Sequence, residues 1–256
     1  MSDTYARVMR PADEPGKRRA TRSGTGRRSG AAPSLAAAPA PAKRPPAEDQ
    51  QGPADRASSL AEATFAAAAA AFLAGRDAQA GAGFSFEDVP APKRLAPYAS
   101  ALAATVERDG ADVAWGRLVL LYDPDGQEGW DGVFRLVAYI RADVEPEIAA
   151  DPLLGEVGWS WLSEALDAHV PGYAVPSGTV TRVITEGFGA KRDELPLTGF
   201  ELRASWSPTG PGNRADDNDL DSLDLSAHIS AWCDCLSAAA GLEPPGTRAL
   251  RPPGRG

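Results

Sequence analysis

Between Trp130 and Arg141 apolar and polar residues alternate with a period of two. Trp130, Phe134, Leu136, Ala138 and Ile140 fall on one side; Arg135, Val137, Tyr139 and Arg141 fall on the other. Such alternation predicts a strand with one face on a core and the other outside it. The run GRLVLLY (116–122) comes just before, separated by DPDGQE, where proline presets φ and glycine permits a positive φ. The two runs predict a hairpin. Downstream, Asp151 is expected to open a helix with Pro152 at its first position. Leu154, Val157, Trp161 and Ala165 form its stripe, flanked by Trp159, Leu162 and Leu166, wide enough to pack on a sheet.

The same period recurs in GTVTRVITEGF (178–188) and TGFELRASW (198–206). In the second run Phe200, Leu202, Ala204 and Trp206 face inward, and Glu201, Arg203 and Ser205 face out. A last helix carries Leu225, Ile229, Trp232, Leu236 and Ala239 on one stripe and stops at Gly241. Upstream, Ser59 and Glu62 have capping-box spacing ahead of the stripe Ala61, Phe65, Ala68, Phe72, with Gly75 as the stop. FSFEDV and a run near 97–107 supply two further strands. The prediction is an α+β fold, an antiparallel sheet of five to six strands with three helices packed on one face. Strand–strand–helix units at about 116–168 and 178–240 suggest a ββα pseudo-duplication, although their strand sequences are not alike.

Charge divides the chain. Residues 1–56 hold eleven Lys or Arg against six acids, a net of +5, which leaves −14 for the remainder of a chain whose total is −9. That first segment has few large apolar residues and much Ala, Pro, Gly and Arg, so residues 1–57 are expected to be a disordered basic tail. Residues 58–245 then form one α+β domain, and 246–256 a second disordered tail. No apolar stretch follows the basic residues as in a signal peptide, and no window is expected to approach the roughly 20 apolar residues of a membrane span. With two cysteines two positions apart, a cytoplasmic location and no membrane partner are expected.

Motifs for known chemistries are weak. Of the two histidines, His169 closes a helix, and His228 follows Asp224 by four residues, with Cys235 near the same face. That set lacks recognised zinc spacing, so no metal is expected. Ser160 in GWSWL lies within a helix rather than on a strand–helix elbow. Neither GxGxxG nor GxxxxGK[ST] occurs, and no cofactor is expected. DDNDLD (216–221) fails the calcium-loop register, and Asp221 or Ser222 is expected to cap the last helix. Glu145, Glu147 and Asp151 sit in a proline-bearing turn and read as solvated. The tail's KRR, RR and KR clusters are the one feature that would contact nucleic acid.

One constellation stands out. Strand parity places Arg135, Tyr139, Arg141, Thr179, Thr181, Glu201 and Arg203 opposite the apolar faces. If those strands are neighbours, the helix-free side of the sheet carries a candidate ligand site, with arginines able to clamp a carboxylate or phosphate. The plain alternative is a solvated face with Glu201–Arg pairs across strands. Parity puts Arg182 between Val180 and Ile184, at an edge, beside a bulge, or against an acid.

GRLVLLYDPDG, FRLVAYIRADVEPEIAADPLL, WSWL, PSGTVTR, ELRASWSP and AWCDCL occur in that order. Over residues 58–245 they resemble the actinobacterial domain-of-unknown-function family numbered 3000. The Ala-rich, Arg-over-Lys composition suits such a source. The resemblance implies no activity, cofactor or site residue. The expectation is a non-catalytic cytoplasmic binding or regulatory module, using the polar sheet face or the acidic surface to engage a protein or small anionic ligand. The alternative is an enzyme of unknown class with a pocket lined by Arg and carboxylates.

Overall fold

In a computed structural model, residues 52–80, 83–193, 196–212 and 220–242 are described. Residues 1–51 of the basic tail, residues 216–219 of the acidic run and the C-terminal tail lie outside them, and with them the expectations made there. Helix α1 (Pro53–Gln79) leads into strands β1 (Phe84–Asp88), β2 (Tyr98–Arg108), β3 (Ala111–Tyr122) and β4 (Phe134–Asp143). Helices α2 (Pro146–Ala150) and α3 (Leu154–His169), strands β5 (Tyr173–Thr185) and β6 (Leu197–Pro208), and helices α4 (Leu220–Leu223) and α5 (Leu225–Ala239) follow. The strands form one antiparallel sheet in the order β1-β2-β3-β4-β6-β5. This is the expected α+β architecture.

The β2–β3 turn is closed by Asp109 and Gly110, both at positive φ (56° and 80°), the requirement of a two-residue hairpin loop matched to strand twist. On one face of the sheet Leu102, Leu118, Leu136, Ile140, Phe200, Leu202 and Trp206 are fully buried under the helices. Helix α5 lies in the middle of that layer, packed on α1 and α3 and touching β3, β4 and β6. Trp232 reaches the sheet because Gly116 has no side chain: a Cβ there would stand 2.7 Å from the indole.

Several sequence expectations are corrected. Helix α1 opens at Pro53 rather than Ser59 and runs through Gly75 to Gln79, where Gly75 is a close-packing position and no stop. A Cβ on Gly75 would meet the Ser226 carbonyl at 2.6 Å. By length and composition α1 is also apolar enough to cross a membrane, because its alanine run raises hydropathy without large side chains. In this fold it sets Ala61, Ala68 and Phe72 into the core. Helix α3 begins at Leu154, after Asp151 anchors the preceding turn by accepting from the Leu153 N–H at 2.8 Å. Its buried face runs through Leu154, Gly158, Leu162, Ala165 and Leu166, leaving Val157 exposed. Asp224, at φ +40°, caps α5 by accepting from the Ala227 N–H, in place of Asp221 or Ser222. Strand β4 starts at Phe134, so Trp130 belongs to the preceding loop.

Candidate ligand site on the helix-free face

Antiparallel register arranges the helix-free face in rows that cross the sheet. One runs Ala99–Leu121–Arg135, and the next Ala101–Val119–Val137–Ser205–Ser177. A third runs Ala103–Arg117–Tyr139–Arg203–Thr179, and a fourth Thr105–Trp115–Arg141–Glu201–Thr181. Six of the seven residues picked out by parity therefore occupy two adjacent rows. Arg135 stands apart, six positions from Arg141 on one strand, or about 20 Å at the rise of an extended chain.

The two ends of this face differ. Around Arg135 it is covered: Val89, Ala91, Leu95, Ala96 and Trp130 pack on Ala101, Val119, Leu121 and Val137 in a second apolar cluster. Asp123 and Gln127 tie the covering segments together. The Gln127 side-chain amide donates to the Leu95 carbonyl and to Asp123 Oδ2, both at 2.9 Å. Arg117 also donates to the Pro90 carbonyl.

Beneath this cover lies a cavity of about 120 Å³ lined by Leu95, Leu121, Val137, Gln127, Glu128, Gly129, Trp130, Ser177, Ser205 and Arg135. Arg135 is only 4 % exposed. Its guanidinium donates to Ser205 Oγ at 2.7 Å, the Val175 carbonyl at 3.0 Å, Ser207 Oγ and the Ser205 carbonyl at 3.3 Å, and Ser177 Oγ at 3.4 Å. Burying a charge requires such a set of oxygens, because an arginine does not neutralise itself by losing its proton. The Val175 contact carries strain: this β-branched residue sits at φ +43°, within an irregularity between Ala174 and Ser177. A left-handed backbone there costs roughly 1–3 kcal/mol. It turns a carbonyl toward the guanidinium.

The other end of the face is open. Glu201 accepts from Arg203 at 3.1 Å and also hydrogen-bonds Tyr139. The Arg203 guanidinium lies over the Tyr139 ring at 5.6 Å, and Trp115, 39 % exposed, meets that ring edge-on at 5.5 Å. Burial raises the Tyr139 hydroxyl above the usual tyrosine range, assisted by the Glu201 charge and opposed by Arg141 and Arg203. Glu201 pairs with Arg203, two residues along its own strand, rather than with an arginine across strands. Arg141 is exposed and lines two clefts of about 390 and 310 Å³. Thr179 and Thr181 are exposed beside it on the edge strand. Arg182 is on that edge too, on the helix side, and donates to the Asp151 carbonyl at 2.8 Å.

The remaining candidates have structural partners. His169 pairs with Asp234 at 2.6 Å, joining α3 to α5. His228 is fully buried and accepts from the Trp206 indole at 3.1 Å. Ser160 donates within its own helix to Val157. Among the described residues no group of three or more His, Cys, Asp or Glu is placed to hold a metal ion. Cys233 and Cys235 are free and buried, and burial pushes both thiols up. A thiolate is the reactive species, so neither should react with Ellman's reagent in the native full chain at pH 8, while both react in urea. Rapid modification of the folded protein would contradict this burial.

Parity set Ser205 on the outward face but gave no reason to join it to Arg135, and it did not reach the other residues that complete the site. Ser177 and Ser205 are hydroxyls on neighbouring strands, Trp130 and Glu128 come from the β3–β4 loop, and Leu95 from the β1–β2 connection. Arg117 and Trp115 enlarge the open end, and their alternation on β3 was the available signal.

Neither the curated proteins nor the solved structures contain a match to this chain. A family model described as "Protein of unknown function (DUF3000)" matches residues 61–248, from the first buried turn of α1 to beyond the end of α5. On that match, covering most of its length, the chain belongs to the DUF3000 family, to which no function is assigned.

Proposed function

We propose that this protein is a non-catalytic binding module that takes a small carboxylate- or phosphate-bearing ligand at the Arg135 cavity. The observation that carries the reading is an arginine more than nine-tenths buried, held by oxygens, in the lining of a cavity that Trp130 also lines. The guanidinium is held in place by hydroxyls that an anion can replace as acceptors, and the apolar walls lower the local dielectric and strengthen that contact. Sites for small molecules have this form, mostly apolar with a few convergent polar groups. The proposal places the module in the cytoplasm of an actinobacterium, with the open Trp115–Arg141 end and the basic tail available to macromolecular partners.

The test is thermal unfolding of the full chain with sodium acetate or sodium phosphate, against chloride at equal ionic strength. A ligand at about 100 times its Kd adds about 2.7 kcal/mol. For a domain of this size that is a rise in Tm of about 5–10 °C. Arg135→Met should abolish the rise, and Ser205→Ala, which retains the guanidinium, should weaken it. An equal rise in the Arg135→Met protein would remove the site from the cavity.

A further inference from the structure

The charges that line the Arg135 cavity have opposite signs at different depths. Arg135 is buried, with the Ser177 and Ser205 hydroxyls beside it, whereas Glu128 is exposed and lines the same space. Gln127 adds an acceptor: its amide nitrogen is committed to Leu95 and Asp123, which leaves its carbonyl oxygen. Trp130 lines it too, and an indole ring attracts a cation placed over it. Leu95, Leu121 and Val137 line the cavity with apolar surface.

A plain anion would meet repulsion from Glu128, and a plain cation would be repelled by Arg135. A molecule with both charges satisfies both. At about 120 Å³ the cavity is close to the roughly 150 Å³ that admits a benzene ring, room for a ligand of about six non-hydrogen atoms. Resting on the reading of this cavity as a ligand site, we infer that its ligand is a small zwitterion of the α-amino acid class. The carboxylate takes the place of the Ser177 and Ser205 hydroxyls as acceptor from Arg135, and those hydroxyls turn to donate to it; the ammonium is received by Glu128, Gln127 and Trp130.

The experiment is calorimetric titration of the full chain with alanine, acetate and ethylammonium as probes. Alanine should bind about tenfold more tightly than acetate, the margin of one added charge-assisted contact, and ethylammonium should not bind. Glu128→Gln, at an exposed position that does not threaten folding, should bring alanine and acetate within about threefold while acetate binding persists. Acetate binding as tightly as alanine, or Glu128→Gln leaving their ratio unchanged, overturns the zwitterion and leaves the anion site standing. Binding of neither probe overturns the site itself.

Discussion

Replacing Trp206 by alanine is expected to cost about 3–5 kcal/mol of stability, the range for emptying a buried aromatic site. Trp206 is 0 % exposed, lies in register with Leu136 on β4, and packs its ring 6.3 Å from the His228 ring beneath α5. Alanine also removes the indole N–H that His228 accepts, and an orphaned buried acceptor adds about 1–3 kcal/mol. Domains are commonly stable by about 5–15 kcal/mol, so the variant should approach the unfolding threshold. Trp206→Phe keeps most of the packing and loses only the hydrogen bond, so it isolates the smaller contribution. Urea midpoints of the three proteins measure both, and a loss below about 1 kcal/mol for the alanine variant would mean that this side of the core is not packed as described.

The second large effect is in pH dependence. Burial lowers the His228 imidazole to about 3, against the opposing pull of Asp224 and the Leu223 carbonyl. In the unfolded chain the same group titrates at about 6.5. Above that pH both states hold it neutral, and its contribution does not vary. As pH falls below 6.5 the unfolded state takes up a proton that the folded state refuses, so stability drops until about pH 3. Between pH 7 and pH 4 this amounts to about 3 kcal/mol, at about 1.4 kcal/mol per pH unit. His228→Gln removes the titrating group while leaving an amide able to accept from Trp206. Its urea midpoint should therefore fall less than the wild-type midpoint over that range. Parallel pH profiles for the two proteins would show that His228 is not the buried neutral group of this account.

Much of the architecture was legible because strand parity is a local property. Phe200, Leu202, Ala204 and Trp206 alternate with Glu201, Arg203 and Ser205 without interruption, and the register confirms each assignment. The stripe of α5 was equally clear. Parity failed at Trp130 because Gly132, at φ +109°, breaks the extended chain before Phe134. Counting back across it placed a loop tryptophan in the strand. The helix-period count on α3 chose Val157 over Gly158, because a glycine contributes nothing to an apolar stripe. Yet Gly158 is the position that admits the Phe200 ring, where a Cβ would come within 2.3 Å. The Asp109–Gly110 pair is itself the local signal of a two-residue hairpin loop.

The candidate site was legible in half. Parity correctly set Arg135, Tyr139, Arg141, Glu201 and Arg203 on the helix-free face, with Thr179 and Thr181 beside them. It could not divide that face into a covered end and an open one. The cover consists of the segment around Val89–Ala96 and the β3–β4 loop, whose positions depend on contacts such as Gln127 with Leu95. The irregular backbone at Val175 belongs to the same class, since a strained residue in a β-branched position has no local signature.

The central claim is that small ligands enter the Arg135 cavity rather than settle on the open arginine face. Its most direct test is the set of tryptophan indole N–H resonances of the full chain, assigned by single Trp→Phe variants, during titration with sodium acetate at constant ionic strength. Trp130 lines the cavity and Trp115 stands on the open end, so the two report separately on the two halves. The account predicts a saturable shift of the Trp130 resonance with Trp115 unchanged, lost in Arg135→Met. A saturable shift of Trp115 with Trp130 unmoved, or no saturable shift of either, would contradict it.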